Sequence, residues 1–430
     1  MISESCLPSG LRVLVDTTPS DVVYAGIAVA TGTRHELDSE SGMAHLVEHM
    51  TFKGTERLTS VQVLNRMERV GGDLNAYTGK EETIYYATFL RQHLRRAIPL
   101  LCDIVFHSTY PQTELEKEVE VVIDEIESYN DSPAELIYDD FESLLFPDHP
   151  LGRKILGDAD RLRLYTSADL HAFVRRTYSP ERAVLFVRGN VTEKDLRQTL
   201  PQGTLPLSSL SGREQNDFQN SSHLSMVTVP SLIGREGGDS FGDRPPIVLA
   251  KPVHQSHVML GACAYAATDP RYYGLFLLSN MLGGPSMNSR LSLALRERAG
   301  LVYTVESNVT AYTDTGVWSV YFGCDPGDMR HCLRLVHREL QRLIASPLAP
   351  RTLAAAKQQL IGQLGVSYDN NENVALGMAK RYLHTNLVLS PAEIAHSIDQ
   401  LSVADLHGIA EEIFDPQRLI TLVYQPRAMD

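Results

Sequence analysis

Apolar and polar positions along this chain follow two rhythms, short runs of period two and longer runs of period 3.6, interleaved from end to end. Residues 11–16 and 22–31 read as strands on either side of a Thr-Thr-Pro-Ser-Asp turn. A turn over 32–40 then leads into a helix that Ser39 or Ser41 can cap and that Lys53-Gly54-Thr55 ends. A second helix over 60–70 closes on Gly71-Gly72, and residues 73–78 and 83–90 read as a β-hairpin with Gly79 in its turn. Helical periodicity returns over 93–106, over 113–129, where Thr113 and Glu116 have the spacing of a capping box, and over 134–146 and 168–178. A strand at 182–187 and a short helix at 193–200 follow. Residues 201–247 break the pattern: rich in Pro, Gly, Ser, Asn and Gln, they read as an interdomain connection with one strand, Leu224 to Val229.

The second half repeats the first. Ala168-Asp169-Leu170-His171 recurs as Ala404-Asp405-Leu406-His407, and Pro180 with Arg182 as Pro416 with Arg418, at one constant offset. Ala76-Tyr77-Thr78 recurs as Ala311-Tyr312-Thr313 at an offset one residue shorter. The expected fold is therefore α+β: two tandem homologous domains, 1–200 and 248–430, joined by 201–247. Each is expected to be a mixed, mostly antiparallel sheet with helices packed on one face.

Candidate chemistry sits in the first copy. His45 and His49 are four residues apart in the helix after the first turn, so both imidazoles leave one face and can grip one cation, and zinc suits neutral imidazole. Glu48 stands beside them, placed to take a proton from water at such an ion. The alternative is an amphipathic helix with two incidental histidines, and a third ligand is needed to set it aside. The helix over 113–129 offers one: Glu118 and Glu125 lie seven residues apart, nearly on one line, flanked by Leu115, Val121, Val122 and Tyr129. Two carboxylates in an apolar stripe need compensation, although the same pair on an isolated helix would read as surface charge. At the corresponding offsets His45, Glu48 and His49 become Asn280, Gly283 and Gly284, and Glu125 becomes Ile361, so any metal site belongs to the first half alone. His93, Cys102, His149 and His171 read as structural, and His223 as non-catalytic.

Composition narrows the classes. With 430 residues and 43% hydrophobic content the chain can bury more than one core, and a net charge of −14 argues against nucleic-acid binding. Cys6, Cys102, Cys263, Cys324 and Cys332 are odd in number and lack any Cys-x-x-Cys, which fits reduced thiols and a metal not bound by thiolate. The first ten residues carry an acid where a signal peptide has bases, and the longest apolar run, 22–30, is too short to span a bilayer. A cytoplasmic protein without a membrane segment is expected.

Gly32-Thr33-Arg34-His35-Glu36, followed by Gly42-Met43-Ala44-His45-Leu46-Val47-Glu48-His49-Met50-Thr51-Phe52-Lys53-Gly54-Thr55, resembles the active-site block of the pitrilysin/insulinase-type inverted zinc peptidases. The likeness is strongest to the half-size branch that includes mitochondrial processing peptidase and its bacterial relatives. The resemblance implies one Zn²⁺ per chain, with Glu125 as the third ligand and Glu118 as the acid that orients the site. It implies that Gly71-Gly72-Asp73-Leu74-Asn75-Ala76-Tyr77-Thr78 is the strand on which an extended peptide pairs, with Asn75 and Ala76 as substrate-binding residues. It also implies that Arg296 and Tyr303, within Arg296-Glu297-Arg298-Ala299-Gly300-Leu301-Val302-Tyr303, bind substrate and stabilise the oxyanion. Half-size members pair two chains into a clamshell, so a homodimer with composite sites is expected, or a heterodimer with a related subunit. The function implied is a zinc-dependent endopeptidase acting on peptides or unfolded segments in the dimer's chamber; the alternative is a non-catalytic peptide-binding or assembly subunit.

Overall fold

The computed structural model describes residues 2–200 and 244–427, so the expected strand Leu224 to Val229 and His223 lie outside the described residues. The first half runs β1 (Ile2–Cys6), β2 (Arg12–Thr17), β3 (Val22–Val29), α1 (Met43–Thr51), α2 (Ser60–Glu68), β4 (Asp73–Thr78), β5 (Thr83–Leu90), α3 (Leu94–Phe106), α4 (Gln112–Asn130), α5 (Pro133–Leu145), α6 (Ala159–Leu162), α7 (Ser167–Thr177), β6 (Ala183–Gly189) and α8 (Glu193–Arg197). The second runs β7 (Ile247–Lys251), β8 (Ser256–Ala264), α9 (Tyr272–Gly283), a π-helical segment Ser292–Glu297, β9 (Val302–Ala311), β10 (Gly316–Cys324), α10 (Met329–Ala345), α11 (Pro350–Ser367), α12 (Asn371–Thr385), α13 (Pro391–Gln400), α14 (Val403–Ile413) and β11 (Ile420–Pro426). No described helix is long and apolar enough to cross a membrane. All five cysteines are free.

Among the described residues the strands form two sheets, ordered β1-β2-β6-β3-β5-β4 and β7-β11-β8-β10-β9. Apart from β1 the orders correspond strand for strand. Each has one parallel pair, β2 with β6 and β7 with β11, and is otherwise antiparallel. The repeated motifs land in equivalent places, Ala168 in α7 before β6 and Ala404 in α14 before β11.

Period-two alternation divides each strand between two cores. In β2, Val13 and Val15 pack with Leu46, Val47 and Met50 of α1 and Leu101 of α3, on the face covered by the first half's own helices. Leu14 points the other way, with Ala28, Ile84 and Phe186, and that face is closed by Ala375, Ala379, Tyr382 and Leu383 of α12 from the second half. The exchange is reciprocal. Leu136, Ile137, Phe141 and Leu145 of α5 cover Met259, Val317, Leu422 and Tyr424 on the second sheet. Each large apolar side chain buried this way is worth about 1.5–3 kcal/mol, so each half completes the other's core.

Charge is buried at the same junction. The turn between β4 and β5 carries Lys80, Glu81 and Glu82, all nearly inaccessible. Lys80 Nζ lies 3.2 Å from Asp139 Oδ1 and 3.5 Å from Glu142 Oε2 on α5. Glu81 accepts from the Thr313 backbone N–H at 2.9 Å and from Arg34. Glu82 meets Lys380 Nζ at 2.7 Å and His384 Nε2 at 3.0 Å on α12. Buried charges cost several kcal/mol each unless paired; Lys80 finds its partners within the first half, while Glu81 and Glu82 reach partners in the second.

Two expected caps are not formed. Ser39 and Ser41 do not cap α1; their carbonyls accept from the Tyr165 hydroxyl, and the residue before the helix is Gly42. Thr113 and Glu116 form no capping box, because α4 starts one residue earlier and Thr113 already lies inside its first turn.

Candidate metal centre

α1 is positioned by its entry. Gly42 adopts φ 79°, a left-handed conformation that a side chain resists, and a Cβ there would also meet Leu156 O at 2.7 Å. The free N–H groups at the helix start are satisfied from outside by Glu36, whose carboxyl accepts from Ala44 N at 2.9 Å and Gly42 N at 3.3 Å. Burial pushes the Glu36 carboxyl up to about 8 despite those bonds. With Leu46, Val47 and Met50 locked into the core, the opposite face holds His45, Glu48 and His49 in place.

α4 packs against α1 and supplies the acids. Leu115, Val119, Val122 and Ile123 form its buried stripe; Val121, expected in that stripe, is 50% exposed. Glu125 Oε2 lies 3.4 Å from His49 Nε2 and 3.8 Å from His45 Nε2. Among the described residues these three form the one group whose ligand atoms all fall within 4.8 Å of one another. Glu118 contacts the far side of His49, Oε1 to Nδ1 at 3.0 Å, while Lys53 Nζ holds its other oxygen at 2.5 Å.

The electrostatics fit a cation. Burial, helped by the charge of His49, pushes His45 down to about 3 and keeps it neutral, the form that ligates. Its Nδ1 is buried without a hydrogen-bond partner among the described residues. Burial pulls His49 down, but the bond to Glu118 and the charges of Glu48 and Glu125 outweigh it, so the acids hold that ring above its usual range. Two imidazoles and a carboxylate around a gap that favours positive charge are a donor set for zinc.

Glu48 stands beside this group, 8% exposed, and Thr78 Oγ1 donates to its Oε2 at 2.6 Å. Burial pushes its carboxyl up, opposed by the bond from Thr78. Thr78 ends β4, the sheet's edge strand, in which Asn75 and Ala76 pair with Tyr86 and Tyr85 of β5 on one side only. Ala76 N–H bonds its neighbour's side chain, Asn75 Oδ1, at 3.1 Å.

Arg296 and Tyr303 sit elsewhere. Both line a cavity of ≈ 730 Å³ bounded by Asn280 and Gly283 of α9 and by Gly284 just after it, with no lining residue from the first half. This is the second half's counterpart of the cleft between α1 and β4. Tyr303 is 91% exposed, and among the described residues the half-buried Arg296 side chain bonds its neighbour Glu297, at 2.8 Å. Within one chain, then, the structure brings together His45, Glu48, His49, Glu118 and Glu125, with β4 alongside, and leaves Arg296 and Tyr303 at a separate cavity of the second half.

A family model described as Insulinase (Peptidase family M16) matches residues 12–159, and one described as Peptidase M16 inactive domain matches 165–360. A Rickettsia felis protein named as an uncharacterized zinc protease is 31% identical over 95% of this chain and 94% of its own length. The chain belongs to peptidase family M16. Another relative, a Bacillus subtilis protein named uncharacterized zinc protease YmxG, is 29% identical over 98% of both chains. A solved Helicobacter pylori protease shares the fold, with TM-score 0.84 and 23% identity over 99% of this chain and all of that one.

Three residues around the M16 site escaped the sequence reading. Thr78 lay inside a recognised segment without a role of its own. Lys53, four residues beyond His49, read as part of a helix end rather than as the partner of Glu118. Glu36 caps α1 from outside the usual capping positions, and no local spacing rule points to it.

Proposed function

We propose that this M16 protein is a zinc-dependent endopeptidase acting on peptides or unfolded segments. The convergence of His45 Nε2, His49 Nε2 and Glu125 Oε2 beside the buried Glu48 carries the reading. Those three residues would hold a zinc ion, which when bound supplies Lewis-acid polarisation of water and of the scissile carbonyl. Glu118, fixed by Lys53, holds the His49 ring so that Nε2 faces Glu125. Glu48 takes the proton of the attacking water and delivers it to the leaving amine.

The free edge of β4 offers backbone groups to an extended peptide, which suits many sequences because main-chain pairing is indifferent to side chains. Arg296 and Tyr303 bind substrate and stabilise the oxyanion of a site on a second copy of this chain, an assignment supported by their place at a cavity that no first-half residue lines and by the exposure of Tyr303. The active form on this reading is a homodimer enclosing a chamber, with two composite sites.

The test is zinc content of the purified protein with cleavage of a quenched fluorescent peptide, with and without chelator. One zinc per chain, chelator-sensitive cleavage of the parent, and zinc-loaded but inactive Glu48→Gln are expected. Turnover by Glu48→Gln, or cleavage that survives complete removal of zinc, would overturn the mechanism.

A further inference from the structure

We propose that Thr78 is the positioning residue of the general base, its hydroxyl fixing where the Glu48 carboxylate points. The inference deepens the peptidase reading and rests on it. Its starting point is the 2.6 Å bond from Thr78 Oγ1 to Glu48 Oε2. Among the described residues this is the one hydrogen bond to the Glu48 carboxyl, on a side chain that is nearly buried. A carboxylate held by a single bond turns about that bond's absence or presence, so Thr78 sets where the base points.

The second half of the argument comes from the hydrogen count. A threonine hydroxyl has one hydrogen and two lone pairs. Thr83, paired with Thr78 across the β4–β5 register, is fully buried, and its Oγ1 donates to Thr31 O at 2.8 Å. With its hydrogen committed to a carbonyl, Thr83 can only accept from Thr78, and their oxygens are 3.3 Å apart. The Thr78 hydrogen therefore has two acceptors, Glu48 Oε2 and Thr83 Oγ1.

While Glu48 is ionised, Thr78 donates to it. The buried carboxyl thereby keeps a partner, which avoids the cost of an unsatisfied buried polar group. At position 78 the strand itself asks for no hydroxyl, since valine has the β propensity of threonine.

Two variants test this: Thr78→Val and Thr78→Ser. For zinc-loaded Thr78→Val we expect kcat to fall by at least about fivefold with KM within about twofold, zinc stoichiometry unchanged, and recovery to within about threefold of the parent in Thr78→Ser. A smaller fall, or a serine variant as slow as the valine one, overturns the proposal. Crystal structures supply a readout that needs no turnover: the Glu48 carboxylate leaves its place in Thr78→Val and keeps it in Thr78→Ser. An unmoved carboxylate in Thr78→Val overturns the proposal. An inactive parent would instead sink the peptidase reading, with the carboxylate's position still deciding the role of Thr78.

Discussion

His49 Nδ1 lies 3.0 Å from Glu118 Oε1, and this contact leaves Nε2 of the same ring facing Glu125 at 3.4 Å. Which ring nitrogen is free for a cation is thus settled by a residue that is not itself a ligand. Lys53 holds Glu118 from the other side; burial pushes the acid up, but the bonds from His49 and Lys53 outweigh it and keep it below its usual range. Glu118→Gln should weaken zinc binding by about 10- to 100-fold, measured by competition with a calibrated chelator. Unchanged affinity would show that the ring is oriented by packing alone.

Arg296→Ala should lose most peptide cleavage and keep its zinc, because the cavity that it lines contains none of the metal residues. Mixing it with Glu48→Gln should restore activity, since half of the mixed dimers' sites would then combine an intact Glu48 with an intact Arg296. The measurement is turnover against mixing ratio, after subunit exchange is confirmed by mass. A flat, inactive series would rule out sites shared between chains.

Glu82 is buried against Lys380 and His384, and its loss would strand His384, whose side chain is only 11% exposed, while Lys380, 42% exposed, regains water. Glu82→Ala should therefore cost about 1–3 kcal/mol in urea denaturation. The same change should leave zinc affinity intact, because neither partner touches the metal residues.

The exchange of α5 and α12 predicts that neither half folds alone. Residues 1–200 expressed by themselves leave Leu14, Ala28, Ile84, Val184 and Phe186 uncovered. That fragment should be insoluble or bind hydrophobic dye, and co-expression with 244–430 should yield a soluble, zinc-binding complex. A soluble, cooperatively melting 1–200 fragment would contradict the reciprocal core.

Glu36 gives a dependence of stability on pH. Burial raises its carboxyl from 4.5 to about 8, so between those values the folded chain holds a proton that the unfolded chain has released. Its contribution is therefore greatest below the unfolded value and declines as pH rises through about 8. Relative to Glu36→Gln, the parent's Tm should fall more steeply between about pH 5 and about pH 8. Parallel curves would show that the carboxyl stays ionised at the helix N-terminus.

Periodicity and motif spacing determined much by themselves. The β4–β5 hairpin, with strands at 73–78 and 83–90, follows from its period-two pattern and the turn at Gly79, because strand faces and turn chemistry are local. The repeat indicated two matched sheets, and the seven-residue spacing of Glu118 and Glu125 put both acids on one side of α4, where both meet His49. Val121 fell out of the stripe because 100° per residue fixes relative angles on a helix but not which angle faces the protein.

What the sequence could not determine depends on contacts between distant segments. The capping of α1 by Glu36, the bond from Thr78 to Glu48 and the anchoring of Glu118 by Lys53 join groups whose separation along the chain follows no helical or strand period. The burial of Lys80, Glu81 and Glu82 is the clearest case, since three consecutive charges in a polar turn read as surface until α5 and α12 close over them. Local pattern fixes which faces each element presents; only the packed chain decides what each face meets, because burial and pairing energies depend on the neighbour and not on the residue alone.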